Sequence, residues 1–178
     1  MAKDPDIILL SLDECHFQQH GSRCTMWVPP EDKDPVVLLA PTRKSVALFG
    51  AVNLSSGEFN HMHFPVFNAE TFQRFLKSVL ESYKGVKKIV IILDNARYHH
   101  AVMLNKWLKK NKKKITLLFL PPYSPNLNPI ERVWKLTKRL CTHNKYFPQL
   151  KQLTDCVNSQ LTAWNRPNKE LRKLCCII

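Results

Sequence analysis

The 178-residue sequence predicts an α/β fold: a mixed sheet, with an antiparallel meander followed by parallel strands, flanked by helices in one domain over residues 1–178. Three observations lead there. Two apolar runs, IILLSLDE and IVIILDN, have the pattern of fully buried strands and each stops at a carboxylate. Between residues 69 and 120, apolar runs alternate with segments of helical period, the signature of strand-helix-strand units. Between residues 25 and 66 lie short strand-like pieces joined by turn residues, which suits a meander.

The elements follow in order. Residues 7–12 are an apolar run closed by Asp13 and read as a buried strand. Residues 25–28 and 44–53 are further strand-like pieces on either side of the loop PPEDKDP, and Gly57 turns the chain into residues 58–66, which partly alternate. In residues 69–83, Phe72, Phe75, Leu76, Val79 and Leu80 recur at helical spacing, which predicts an amphipathic helix lying on a sheet and ended by Gly85. Residues 88–94 form a second apolar strand ending in Asp, residues 100–110 a helix, and residues 115–120 a third buried strand. Four prolines and two asparagines in PPYSPNLNP exclude a helix or central strand there, and IERVWKLTKRL then runs on with apolar residues at helical spacing. Asn128 is a natural N-cap for that helix, Pro129 suits its first position, and Glu131 can reach back to the cap as in a capping box. Residues 149–164 read as one more helix and residues 171–178 as a short docked segment. Right-handed crossovers between the later strands and an antiparallel wing before them make this a sheet of the ribonuclease H type.

Composition narrows the partners. The net charge is +13, and it is unevenly placed: residues 1–83 hold seven Lys or Arg against ten Asp or Glu, whereas residues 84–178 hold twenty against four. A second half with a net charge of +16, including the run KKNKKK, is best relieved by a polyanion, and nucleic acid is the usual one. No apolar run approaches the length of a membrane span, and the start MAKDPD lacks the basic-then-apolar order of a signal peptide, so no membrane partner is expected and the location is cytoplasmic or nuclear. The six cysteines show no C-x-x-C pair and are expected as free thiols. The terminal CCII has the form of a prenylation box, but nothing else in the chain supports a membrane anchor.

The four acids of the basic half are Asp94, Glu131, Asp155 and Glu170. Asp94 ends a strand just as Asp13 does, and parallel neighbouring strands would bring both to the carboxyl edge of the sheet, where open α/β sheets bind ligands. Glu131 begins a helix near that edge. Converging carboxylates repel one another, and the usual compensation is a bound divalent cation, with hard oxygen ligands favouring Mg²⁺ or Mn²⁺. Two such ions about 4 Å apart can activate a water or hydroxyl on one side of a phosphodiester and stabilise the leaving oxygen on the other. His61 and His63 share a strand face and could pair on a metal, although no further ligand is evident in the sequence. Trp134 is expected to pack its helix on the sheet.

In order and spacing, SLDE, ILDNARYHH and LPPYSPNLNPIERVW closely resemble the catalytic domain of mariner-like transposases, the Tc/mariner superfamily, in particular the bacterial insertion-sequence 630 type with its Asp-Asp-Glu triad. The resemblance runs from Asp13 to about Leu140, and 36 residues (95–130) separate the second and third acids. It implies that Asp13, Asp94 and Glu131 are catalytic and bind the metal, with Asn95 and His99 in the motif around the second acid as supporting residues; the surrounding basic residues, Lys135, Lys138 and Arg139 among them, are expected to meet the nucleic-acid backbone. It further implies double-stranded DNA, both transposon ends and target, as partner, and a homodimer is one assembly open to the chain. Two features depart from the family: Cys15 stands where Ser or Ala is usual, and WVPPEDKDP replaces a Gly-containing turn. With the first strand at about Ile7, no N-terminal helix-turn-helix is expected, so recognition of specific ends would fall to a separate DNA-binding subunit or module. A ribonuclease H-like nuclease that only hydrolyses, and an inactive basic nucleic-acid-binding relic, are the alternative readings.

Overall fold

The computed structural model describes residues 6–31, 36–122 and 124–176. The first five residues, part of the PPEDKDP loop, Tyr123 and the last two residues of CCII lie outside them. A five-stranded sheet in the order β3-β2-β1-β4-β5 is made by β1 (Ile7–Gln18), β2 (Ser45–Asn53), β3 (Phe59–His63), β4 (Lys88–Leu93) and β5 (Ile115–Phe119). The first three strands are antiparallel, whereas β4 runs parallel to both β1 and β5. The helices are α1 (Ala69–Ser82), α2 (Val102–Asn111), α3 (Ile130–Cys141), α4 (Leu150–Ala163) and α5 (Lys169–Leu174). No helix among the described residues is long and apolar enough to cross a membrane.

The two-residue period of a strand sorts the core into two layers. Leu10 and Leu12 of β1, with Phe49 and Ala51 of β2, pack beneath Phe72, Phe75, Leu76 and Val79 of α1. Cys15 and Phe17, with Val46, Leu48 and Val52, face Val133 and Trp134 of α3 and Leu153, Val157 and Leu161 of α4. The expected helix over residues 69–83 forms because its apolar stripe is continuous and its start is closed by a capping box: the Asn68 side chain accepts from Thr71 N at 2.9 Å, and Thr71 Oγ1 accepts from Asn68 N at 3.0 Å. Gly57 has φ +74°, and a Cβ there would meet Asn168 O at 2.0 Å, so the turn before β3 requires glycine.

Four expectations need correction. First, residues 25–28 form no strand: Met26 is half-exposed and Trp27 fully exposed, so this segment has no buried face to set a register. Second, β1 does not end at Asp13. Antiparallel pairing with β2 continues from Leu10↔Asn53 to Gln18↔Ser45, so that Asp13 lies in mid-strand opposite Gly50. Third, the helix expected over residues 100–110 begins with a separate 3₁₀ turn, Arg97–His100, because Ala101 between them is extended (ψ 137°).

Fourth, the capping box expected at the start of α3 is absent. Pro129 is the N-cap, and the first helical N–H, that of Ile130, is met by Ser11 Oγ of β1 at 3.1 Å. Asn128 is drawn into the sheet instead: its amide accepts from Ser11 Oγ and donates to Leu12 O at 3.2 Å. A buried amide gains more by satisfying both of its ends than by capping alone. Glu131 is thereby left without a capping task.

Candidate active site

An open cleft of about 550 Å³ lies beyond the carboxyl ends of β4 and β5, with Asp13, Asp94, Asn95, Asn128 and Glu131 among its lining residues. Each acid arrives by a different route. Asp13 shares the sheet face of Cys15 and Phe17 and so points toward α3. Asp94 directly follows β4, whose pairing with β1 (Ile7↔Lys88 to Ser11↔Ile92), continued two residues further, brings Asp94 level with Asp13. Glu131 stands in the first turn of α3, whose start is anchored on β1 by the Ser11 and Asn128 hydrogen bonds.

The electrostatics are those of crowded anions. Burial, followed by the negative charges of Glu14, Glu131 and Asp94, pushes the Asp13 carboxyl up to about 8. Among the described residues no Lys or Arg forms an ion pair with any of these four acids. Asp94 shifts opposite to Asp13: its hydrogen bond with His99 holds it below the usual carboxylate range, with His99 Nδ1 3.2 Å from Asp94 Oδ1 and 3.3 Å from its backbone oxygen. Asn95 joins the loops after β4 and β5, donating to Leu120 O while its Oδ1 lies 3.2 Å from His100 Nε2.

Glu14 was not anticipated. It points to the opposite sheet face from Asp13, where Tyr98 Oη donates to its Oε1 at 2.6 Å, and burial raises its carboxyl. Glu14, Asp94 and His99 offer ligand atoms that all lie within 4.8 Å of one another. The signal was present in the sequence: adjacent acids in one strand must face opposite sides, so Asp94 at the strand edge is flanked by one from each. Lys135 and Arg139 are exposed on α3, and Lys138 opens onto a second cavity of about 290 Å³, so none of the three lines the acidic cleft. His61 and His63 are close (5.9 Å between ring centroids), but His63 Nε2 is engaged by Asn158, and among the described residues they belong to no group of three metal-ligating side chains.

The raised Asp13 carboxyl makes a pH prediction for the metal-free protein. Between its ordinary value of 3.8 and about 8, folded Asp13 keeps a proton that the unfolded chain releases, so its contribution to stability falls as pH rises through that window. His61, lowered from 6.5 to about 4 by burial, acts in the opposite direction but only below pH 6.5. From pH 6.5 to 8 in EDTA, the wild-type Tm should fall by a few degrees relative to Asp13→Asn, corresponding to about 1–2 kcal/mol. Parallel Tm profiles for the two proteins would show that Asp13 titrates normally.

A ribonuclease H-like sheet that gathers carboxylates from β1, the end of β4 and α3 around one open cleft defines the class of DDE nucleic-acid-processing enzymes. The sequence matches the family described as DDE superfamily endonuclease over residues 8–154, and the chain belongs to that family. It is similar to the uncharacterized protein y4pE/y4sA of Sinorhizobium fredii, 34% identical over 119 residues, which cover 67% of this chain and 82% of that protein. It is also similar to the transposable element Tc3 transposase of Caenorhabditis elegans, 32% identical over 112 residues, covering 60% of this chain but only 32% of the transposase. Among solved structures, the Mos1 strand transfer complex aligns over 94% of this chain and 50% of that one with TM-score 0.67 and 17% identity. The Mos1 mariner paired end complex with Mn aligns over 94% and 51% with TM-score 0.62 and 18% identity. At these identities the structural likeness establishes the fold, and the chain spans about a third of the Tc3 transposase and half of the Mos1 chains.

Proposed function

We propose that the chain catalyses metal-dependent phosphoryl transfer on DNA, cutting a transposon strand and joining its end to a target. The observation that carries this reading is the convergence of Asp13, Asp94 and Glu131 on one cleft in a DDE-family fold. The residues fit a hard divalent cation: burial, with the neighbouring carboxylates of Glu14, Glu131 and Asp94, pushes Asp13 up to about 8, and with no Lys or Arg ion pair to these acids among the described residues such a group is best neutralised by one. Asp13, Asp94 and Glu131 would hold Mg²⁺ or Mn²⁺, in a pair of sites. Glu14 is close enough to Asp94 to share in that task. A bound ion supplies Lewis-acid charge to the phosphodiester and lowers the pKa of a bound water.

The chain's own groups do the rest. Asn128 and Ser11 fix the direction of α3 and so of Glu131, and His99 orients the Asp94 carboxylate. Lys135, Lys138 and Arg139 follow Glu131 along α3 at four, seven and eight residues, a stripe that would meet strand phosphates leaving the cleft. In the first displacement a water oxygen bonds to phosphorus as it gives up a proton, the P–O3′ bond breaks, and the leaving 3′-oxygen takes up a proton, giving a 5′-phosphate and a 3′-hydroxyl. In the second, that hydroxyl attacks a target phosphodiester in line and releases a new 3′-hydroxyl. A homodimer, a further module that reads the ends, and a site of action on cytoplasmic or nuclear DNA belong to the same reading.

The test is a joining assay with a pre-cut 3′-hydroxyl end in Mg²⁺ or Mn²⁺. Joined product supports transfer, hydrolysis alone would leave a nuclease, and neither product in any metal would leave a basic binding module. Duplex binding is expected to rest on phosphate contacts by exposed lysines, including Lys109, Lys110, Lys112 and Lys113 at the end of α2. Replacing these four with Gln should flatten the slope of log Kobs against log salt by about 0.9 for each phosphate that is no longer neutralised, with little dependence on sequence. An unchanged slope would remove this segment from the DNA path.

A further inference from the structure

Trp134 is a core residue by burial, at 2% exposure, and packs edge-on against Phe59 and Phe17 with ring centroids 5.4 and 6.2 Å away. Its indole is also committed to the cleft: Nε1 donates to Asp13 Oδ2 at 3.1 Å. The surroundings make that contact a built feature. Asp13 is paired across the sheet with Gly50, and a Cβ at Gly50 would lie 2.4 Å from Cη2 and 2.8 Å from Cζ2 of Trp134. The indole therefore fills the space that a side chain opposite Asp13 would take, and only a glycine there lets the ring lie close enough for its N–H to reach the carboxylate. Trp134 also stands three residues after Glu131, so the turn of α3 that presents one acid to the cleft delivers a donor to another.

An indole N–H can only donate, so it occupies one oxygen of Asp13 and leaves the other available. We propose that Trp134, seated over Gly50, is a positioning residue that fixes the Asp13 carboxylate for cation binding, and so couples the placement of α3 to the geometry of the metal site. This rests on the metal-site reading above. Donors that orient a metal ligand from behind typically change metal affinity by about 10–100-fold when removed. A Trp134 that served packing alone would be replaceable by any ring of the same shape.

The experiment compares wild type, Trp134→Phe and a protein carrying 3-benzothienylalanine at position 134, which keeps the two-ring shape and lacks only the N–H. Mn²⁺ binding is measured directly from the EPR signal of the free ion, and Tm is measured in EDTA. Both variants are expected to bind Mn²⁺ about tenfold or more weakly, with the benzothienylalanine protein melting within a few degrees of wild type. Wild-type affinity in that folded protein would overturn the inference while leaving the metal-site reading intact. A benzothienylalanine protein that does not fold would also overturn it, since the N–H would then serve the fold. A wild type that binds no Mn²⁺ would remove the metal-site reading itself and this inference with it.

Discussion

Glu131→Gln is expected to abolish metal-dependent strand cleavage, by about 10³-fold or more, while the protein stays folded. Loss of a charged ligand removes several kcal/mol of transition-state stabilisation, and each 1.4 kcal/mol is about tenfold in rate. The structure separates this effect from helix stability, because the side chain at position 131 does no capping: the first N–H of α3 is taken by Ser11 and the buried amide of Asn128 is satisfied in the sheet. Metal-free Tm should therefore hold or rise slightly in Glu131→Gln, since one of several crowded negative charges is gone. Ser11→Ala shows the converse. It leaves Ile130 N and Asn128 Oδ1 without their partner and should cost about 1–3 kcal/mol. Retained cleavage by a folded Glu131→Gln protein would remove Glu131 from the chemistry, and an unchanged Tm in Ser11→Ala would remove Ser11 from the start of α3.

The largest loss of stability is expected for Phe49→Ala. Phe49 is fully buried at the centre of the α1 layer, with the rings of Phe64, Phe67, Phe72 and Phe75 at centroid distances of 5.7, 4.7, 6.0 and 5.5 Å. No single neighbour can collapse into so many-sided a space, so the cavity and transfer costs add to about 3–5 kcal/mol. In a protein of this length that corresponds to a fall in Tm of roughly 10 °C. Calorimetry in EDTA measures it without interference from metal binding. A loss below about 1 kcal/mol would mean that α1 does not pack on β2 as described.

Segments whose evidence is local could be read without the structure. The apolar run of β4 and the helical stripe of α1 fall within one or two residues of their expected bounds, because each carries in its own side chains the face it buries. Where a segment depends on a partner, reading failed. Residues 25–28 have strand-like composition but pair with no strand among the described residues, and β1 runs through the charged stretch DECHFQ only because β2 holds it there.

The same division holds at the cleft. Asp13, Asp94 and Glu131 could be named from the sequence because two apolar runs stop at acids and the third acid follows a proline-rich break into a helix. That Glu14 shares Asp94 from the other sheet face, that Ser11 rather than Asn128 closes α3, and that Trp134 reaches Asp13 over Gly50 depend on residues 80 or more positions apart in the chain. A residue's type, period and turn chemistry act within a few positions of the chain, so the sequence by itself determined the elements that carry their own buried face and which acids are candidates for the cleft. The direction in which each carboxylate points is set by which distant donor reaches it and which side chain is small enough to let that donor through, and only the tertiary structure decided that.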